Sequence, residues 1–383
     1  MTKTDLGIYV HIPFCARKCD YCDFVSMVGS PDEQAYYIRV LKKEIRGFEA
    51  LGNLYLVRTV FIGGGTPSIL DVSQLERIME QLREQYEFAE DVEITIECNP
   101  GTLNEEKLLR YRAMGINRLS LGLQSTHNEE LKVLGRIHSY EDFLESYRLA
   151  RKAGFTNINI DLMTALPGQS VEAWEDVLRT VVALAPEHIS AYSLSIEEGT
   201  PFFERYGNTK GRLQLPKESE DRQMYHLTKE ILEEAGYRRY EISNYAKKGK
   251  ECRHNITYWN GGEYVGFGLG AASYLGGKRF SNPKDKQEYW EFARNAYHRY
   301  KELPPQGQKE TMEEFMFLGL RMMDGISMRE FEEKFHVPFA EVYGTPVRRM
   351  ITQGFLEETG NRLKFTDKGI DVSNQLLVEF LLG

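Results

Sequence analysis

Three cysteines stand within eight residues in CARKCDYC: Cys15, Cys19 and Cys22. Thiolates are soft ligands that suit zinc or an iron–sulfur cluster. The C-x3-C-x2-C spacing offers three sulfurs and no fourth follows; Phe24 occupies the place where a next ligand would stand. Two chemistries answer that pattern. A structural zinc closes with four ligands, and His11 would complete H-x3-C-x3-C-x2-C. A [4Fe–4S] cluster held by three cysteines instead leaves one iron open to an outside ligand. The other two cysteines, Cys98 and Cys252, lie far away in sequence. An odd count with one tight group is no disulfide framework. It fits a metal or cluster site in a reducing compartment.

Such a site needs a scaffold, and the chain alternates between two periodicities. Strand patterns occur at 7–12, 57–62, 92–97, 116–122, 156–161 and 188–194. Amphipathic helical patterns occur at 32–50, 73–86, 104–114, 139–153, 171–184 and 218–235. This alternation argues for parallel βαβ units. Six units predict a partial (β/α)6 barrel over residues 1–236 rather than a closed eightfold one. Every chemically promising stretch follows a strand: the cysteines the first, GGGTPS (63–68) the second, CNPG the third. Gln124 and Ser125 follow the fourth, Asp161 ends the fifth and Ser195 follows the sixth. Loops at the C-terminal ends of parallel barrel strands open onto one face. That face would gather three thiolates, a glycine-rich turn, carboxylates and an amide.

Beyond residue 236 the pattern changes. Residues 237–300 read as a small β-containing extension with ECRHNITYWNGG and the glycine-rich EYVGFGLGAASYLGG. KELPPQGQ (301–308) reads as a linker. Helices at 310–323, 327–335 and 339–353, a hairpin turning at Gly360-Asn361 and a last helix predict a winged-helix-like domain over 309–383. Residues 310–383 hold 13 acidic and 8 basic side chains, a net of −5, which is wrong for a DNA-reading wing. The whole chain carries −9, which disfavours a phosphate-binding surface and hence nucleic-acid partners. Its N-terminus has no apolar leader with a cleavage site, and no stretch is apolar enough to span a membrane. The expected location is the cytoplasm.

CARKCDYC, with an aromatic residue before its last cysteine, resembles the signature of the radical S-adenosylmethionine (SAM) superfamily. The resemblance implies a [4Fe–4S] cluster on Cys15, Cys19 and Cys22 whose open iron binds SAM. An electron passed through such a cluster breaks the sulfonium C–S bond and yields a 5′-deoxyadenosyl radical. GGGTPS has neither the dinucleotide-binding fingerprint nor the P-loop Lys-Ser/Thr, and by itself is equally a tight strand-to-helix turn. The resemblance implies that Gly63, Gly64, Gly65 and Thr66 let backbone approach the SAM amino group. By position it also implies SAM contacts from Tyr9, Glu97, Gln124, Arg136 and Asp161. Taken alone, Glu97 reads as a cap acceptor and Arg136 as a surface ion pair.

YVHIPFCARKCDYCDF, FIGGGTPS, ECNPGTL, RLSLGLQS, LGRIH, LPGQS and EEGTPF together resemble the oxygen-independent coproporphyrinogen III oxidase family. Its dehydrogenase branch carries a further cysteine two residues after the last ligand and a long N-terminal arm. Here Phe24 holds that position and 14 residues precede Cys15. The other branch, the HemW-type haem chaperones, is marked by HNxxYW, and this chain has HNITYW at 254–259. That branch implies haem as cargo, His254 as an axial ligand and Tyr258 and Trp259 against the porphyrin face. From the residue alone, His254 reads as a satisfied core histidine. The resemblance further implies respiratory haem apoproteins as recipients, a peripheral position at the membrane inner face, a low-potential electron donor such as flavodoxin, and room for a homodimer. Enzyme activity stays open. The alternative is radical SAM oxidative decarboxylation of the coproporphyrinogen propionates in haem biosynthesis. One departure touches the SAM side: DLMTALPGQS has Thr164 and Ala165 where the family more often has an aromatic and a glycine.

Overall fold

The computed structural model describes residues 3–382. Six strands run parallel in chain order: β1 (Thr4–Ile12), β2 (Tyr55–Gly64), β3 (Glu87–Cys98), β4 (Arg118–Gln124), β5 (Ile158–Thr164) and β6 (His188–Ser193). Between them lie α1 (Pro31–Gly47), α2 (Val72–Gln85), α3 (Glu105–Ala113), α4 (Asn128–Val133), α5 (Tyr140–Lys152) and α6 (Val171–Ala183). After β6 come α7 (Pro201–Tyr206), α8 (Thr209–Arg212) and α9 (Glu218–Glu234). This is the partial barrel that the alternation predicts.

Local chemistry sets the helix starts. Ser30 and Glu33 form a capping box ahead of Pro31, which opens α1, and Ser139 with Asp142 does the same for α5. The helices bury their apolar stripes against alternate strand residues, among them Ile8, Val10, Ile62, Ile96, Leu121 and Ile160. Trp174 of α6 is fully buried, and its Nε1 donates to Thr228 Oγ1 of α9 at 2.9 Å. The other strand face points into the lumen. There the side chains are Arg118, Ser120, Asn159, Asp161 and Ser190, where closed barrels usually stack Val, Ile and Leu. A polar lumen marks the inside of this barrel as a place for ligands rather than a plain core.

The extension adds to both margins of the same sheet. β7 (Arg238–Arg239) and β8 (Asn244–Ala246) pair antiparallel beyond β6. β9 (Tyr264–Phe267) pairs parallel with β1, and β10 (Ala272–Leu275) and β11 (Lys278–Ser281) follow antiparallel. The result is an 11-stranded sheet in the order β11-β10-β9-β1-β2-β3-β4-β5-β6-β8-β7. The short helix α10 (Arg253–Trp259) carries HNITYW.

The glycine-rich run serves packing. Gly268 has φ +106°, and a Cβ there would lie 2.7 Å from His11 O and 2.5 Å from the Tyr37 hydroxyl. Tyr37 donates to that same carbonyl at 2.7 Å and accepts from Leu269 N at 3.0 Å. Glu44 of α1, fully buried, accepts from Gly268 N (2.9 Å), Asn282 Nδ2 (2.7 Å) and the Tyr289 hydroxyl (2.6 Å). These bonds seat the β9–β10 turn against the end of β1, where the cysteine loop begins.

The chain continues through α11 (Lys286–Phe292) and α12 (Ala296–Glu302) into α13 (Gln308–Gly319), β12 (Ile326–Ser327), α14 (Met328–Phe335), α15 (Phe339–Thr352) and the hairpin β13 (Leu356–Thr359) to β14 (Arg362–Phe365). Three helices and a three-stranded sheet enclose their own core around Phe331, Tyr343 and Leu363. This C-terminal unit grips both sheet margins. Asp324 pairs with Arg238 at 2.5 Å and Asp367 with Arg239 at 2.9 Å, both on β7. Glu314 pairs with Arg279 of β11 at 2.8 Å. Among the described residues no helix is long and apolar enough to cross a membrane.

Candidate active site

The cysteine loop leaves β1 and is held by backbone hydrogen bonds. Cys15 N donates to Met27 O at 2.9 Å and Met27 N to Pro13 O at 2.7 Å. Asp20 N donates to Leu134 O and Phe202 N to Asp20 O, so the loop is tied to the segments after β4 and β6. Arg205 reinforces this tie through the Asp20 carboxylate.

One cavity of about 340 Å3 collects most of the side chains that the sequence places after strand ends, while Ser125 and Ser195 stand off its lining and bond Glu130 and Glu197. Cys15, Cys19, Cys22, Gly64, Gly65, Thr66, Glu97, Gln124, Arg136 and Asp161 all line it, although they come from five strands. Thr66 Oγ1 donates to Cys15 Sγ at 3.6 Å and Arg136 Nη1 to Cys19 Sγ at 3.5 Å. Gly65 packs so tightly that a Cβ would stand 2.9 Å from Cys15 Sγ and 2.8 Å from Phe14 O. The second strand end is thus shaped to let the cysteine loop lie directly on it.

The electrostatics follow from burial. Desolvation pushes the Cys15 and Cys22 thiols up, so holding them as thiolates calls for a cationic partner such as cluster iron. Glu97 is pushed up to about 8, first by burial and then by the neighbouring Asp161 charge, while Gly64 N and Arg118 pull it down. Gly64 N donates to Glu97 Oε2 at 3.0 Å. Asp161 accepts from Ser120 Oγ (2.9 Å) and Asn159 Nδ2 (2.8 Å). Gln124 takes a left-handed backbone, φ +73°, which turns the strand end out onto the cavity rim.

Three of the expected residues lie elsewhere. Gly63 sits beneath Glu97, 3.0 Å from its Oε2 by a built Cβ. Tyr9 lines the adjoining lumen, and its hydroxyl donates to His11 Nδ1 at 2.9 Å. His11 itself is 7 % exposed, and its Nε2 donates to Val25 O at 2.8 Å. His11 does not line the cysteine cavity and both its ring nitrogens are engaged, so it is not placed as a fourth cysteine-site ligand, and the Cys3His zinc reading loses its last ligand.

The HNITYW residues divide between two sides of α10. His254 is 1 % exposed and stacks on Phe61 at 5.3 Å between ring centroids. Its Nδ1 pairs with Thr59 Oγ1 at 2.8 Å and its Nε2 with the Tyr258 hydroxyl at 2.7 Å. Burial, then the Arg118 charge, lowers it to about 3, so the imidazole is neutral. Trp259 faces the C-terminal unit instead, beneath the Arg321 guanidinium at 4.4 Å from its ring centre, and its Nε1 is buried without a partner.

Sequence reasoning missed Asn99, whose side chain bridges Thr66 Oγ1 (2.8 Å) and Arg136 Nη2 (2.8 Å). It stands in CNPG directly after a strand, which was signal enough. Arg118 was missed as well; a charge inside the apolar run INRLSLG could have flagged it.

The radical SAM superfamily profile matches residues 9–181, and the HemN C-terminal domain profile matches 307–372. The chain is 39% identical over 384 residues to the "Heme chaperone HemW" of Lactococcus lactis, covering 100% of this chain and 99% of that one. It is 35% identical to the same-named protein of Bacillus subtilis, covering 97% and 98%. Escherichia coli coproporphyrinogen III oxidase (HemN), described as a radical SAM enzyme, shares the fold with a TM-score of 0.84 at 23% identity, over 99% of this chain and 90% of that one. The chain belongs to the radical SAM superfamily and, within it, to the HemW family. The superfamily's cofactors are a [4Fe–4S] cluster and SAM, and the donor set present fits both: three thiolates on one loop, a glycine seat beneath them, and carboxylate, amide and guanidinium groups around the same cavity.

Proposed function

We propose that this protein carries haem and hands it to apoproteins, using a barrel that also holds a SAM-binding cluster. The observation that supports this most is the likeness to haem chaperones along the whole chain, including HNITYW at 254–259. In this reading Cys15, Cys19 and Cys22 hold the cluster. Gly63, Gly64, Gly65, Thr66, Tyr9, Glu97, Gln124, Arg136 and Asp161 would hold SAM, to whose sulfonium a bound cluster would supply an electron. Arg136 anchors the site, since it touches Cys19 Sγ and Gly122 O at once. Respiratory haem apoproteins at a membrane face receive the cargo, a flavodoxin-like donor reduces the cluster, and two copies pair through a shared haem or cluster.

His254 supplies the axial nitrogen. Its neutral state suits iron ligation, but Tyr258 must first release Nε2. Anaerobic haem titration of the cluster-loaded protein tests this. Saturable uptake that vanishes in His254→Ala is the expected result. Unchanged uptake in that variant removes His254 as the ligand. No uptake by the intact protein removes the carrier reading and turns attention to anaerobic conversion of coproporphyrinogen III.

A further inference from the structure

Below the cysteine cavity the lumen holds a second chamber of about 190 Å3. Its wall contains Arg118, Ser190, Asn255 and Tyr258, and it shares Glu97, Ser120, Asp161 and Tyr192 with the cavity above. The two spaces therefore adjoin across those four side chains.

Arg118 is 2 % exposed. Its Nε has no hydrogen-bond partner, and among the described residues its guanidinium forms no ion pair. A buried arginine with unclaimed donors is costly and calls for a partner. The nearby carboxylates are already engaged. Asp161 accepts from Ser120 and Asn159. Glu93 accepts from the backbone amides of Arg253 (3.1 Å) and His254 (3.1 Å). Asn159 Oδ1 accepts from His188 Nδ1 and Ser190 Oγ. Because His254 is neutral, Arg118 is the one cation on the described chamber wall.

We propose that this chamber is a carboxylate site, in which the Arg118 fork grips a monoanionic carboxylate and the Asn255 side-chain amide supplies a further hydrogen bond. A guanidinium presents paired donors that match a carboxylate. Phosphate is the poorer fit, because its second charge would face Asp161 and Glu97 on the shared wall. The carboxylate arrives either as a free small acid or as the arm of a larger ligand. The first source is independent of the haem reading; the second, a propionate arm, rests on it.

The test uses the full, cluster-loaded chain. Sodium acetate titrated against sodium chloride at equal ionic strength should raise the melting temperature saturably. Arg118→Met should abolish the rise. Ser190→Leu, which keeps Arg118 but fills the chamber, should abolish it too and guards against a variant that merely misfolds. Crystals soaked in 4-bromobenzoate, whose aryl bromine does not alkylate thiols, should show a bromine anomalous peak in the chamber with Arg118. If the carboxylate comes on a larger ligand, acetate does nothing, but the protein binds haem at least tenfold more tightly than haem dimethyl ester, and Arg118→Met erases the difference. An acetate response in a protein that takes up no haem keeps the chamber and sinks the carrier reading. No acetate response, no bromine peak and no preference over the ester together mean a chamber holding water alone, which overturns the proposal.

Discussion

Replacing Glu97 by glutamine should make the cluster-free protein less sensitive to alkali. Glu97 titrates near 8 in the fold against an ordinary 4.5. A carboxyl whose folded pKa is raised binds a proton on folding at any pH between the two values. Stability therefore falls as pH rises through that window and levels off above the folded value. Going from pH 6 to pH 8, linkage gives a loss of about 2 kcal/mol from this one group. The Glu97 side chain borders a cavity that solvent can enter, and screening there reduces the expected loss to about 1 kcal/mol. The glutamine of E97Q cannot ionise, yet it still accepts from Gly64 N through its carbonyl oxygen. Urea unfolding of the cluster-free chain at both pH values, for parent and E97Q, yields the double difference. Glu44, which burial raises to about 7, titrates in both proteins and cancels. The parent should lose about 1 kcal/mol more than the variant over this interval. Parallel losses would mean that Glu97 is already ionised at pH 6, and the account of its burial would be wrong.

Gly65→Ala should cost the cysteine loop its seat, since the new methyl meets Cys15 Sγ at 2.9 Å; iron and sulfide per chain after reconstitution should fall several-fold while far-UV circular dichroism stays unchanged. Glu44→Leu leaves Gly268 N, Asn282 Nδ2 and the Tyr289 hydroxyl without their acceptor, and urea unfolding should show a loss of about 3 kcal/mol. Ala165 holds a left-handed φ of +58°, so Ala165→Gly should stabilise by about 1 kcal/mol in the same assay; a destabilised variant would mean the backbone there is relaxed.

The barrel was legible because its strands and helices are long and each carries its own periodicity. β3 runs Glu87–Cys98 where the pattern suggested 92–97, since EFAED lacks alternation and is strand only by pairing with β2. β9, β10 and β11 were read only as a β-containing extension, without individual strands: each has four residues, and a neighbouring strand rather than propensity makes it a strand. α7 and α8 were missed for the same shortness. In the site, the loops after strand ends announced themselves through cysteine and glycine. Arg118 did not, because its meaning depends on which residues from β5, β6 and α10 surround it, and no local window contains those. His254 shows the same limit: HNITYW names the segment, while only the fold reveals a ring clasped between Thr59 and Tyr258.

The C-terminal unit that fastens β7 and β11 follows every strand of that sheet in chain order, so it leaves the ribosome after them. Translation adds about 5–20 residues each second. The stretch from Gln308 onward therefore lags the sheet by several seconds, during which Arg238, Arg239 and Arg279 have no Asp324, Asp367 or Glu314 to meet. Both edge strands lack these ion-pair partners for that interval, and sheet edges are where sheets recruit one another. Synthesis speed from Gln308 onward thus bears on yield: a pause there lengthens the life of an intermediate without these ion pairs.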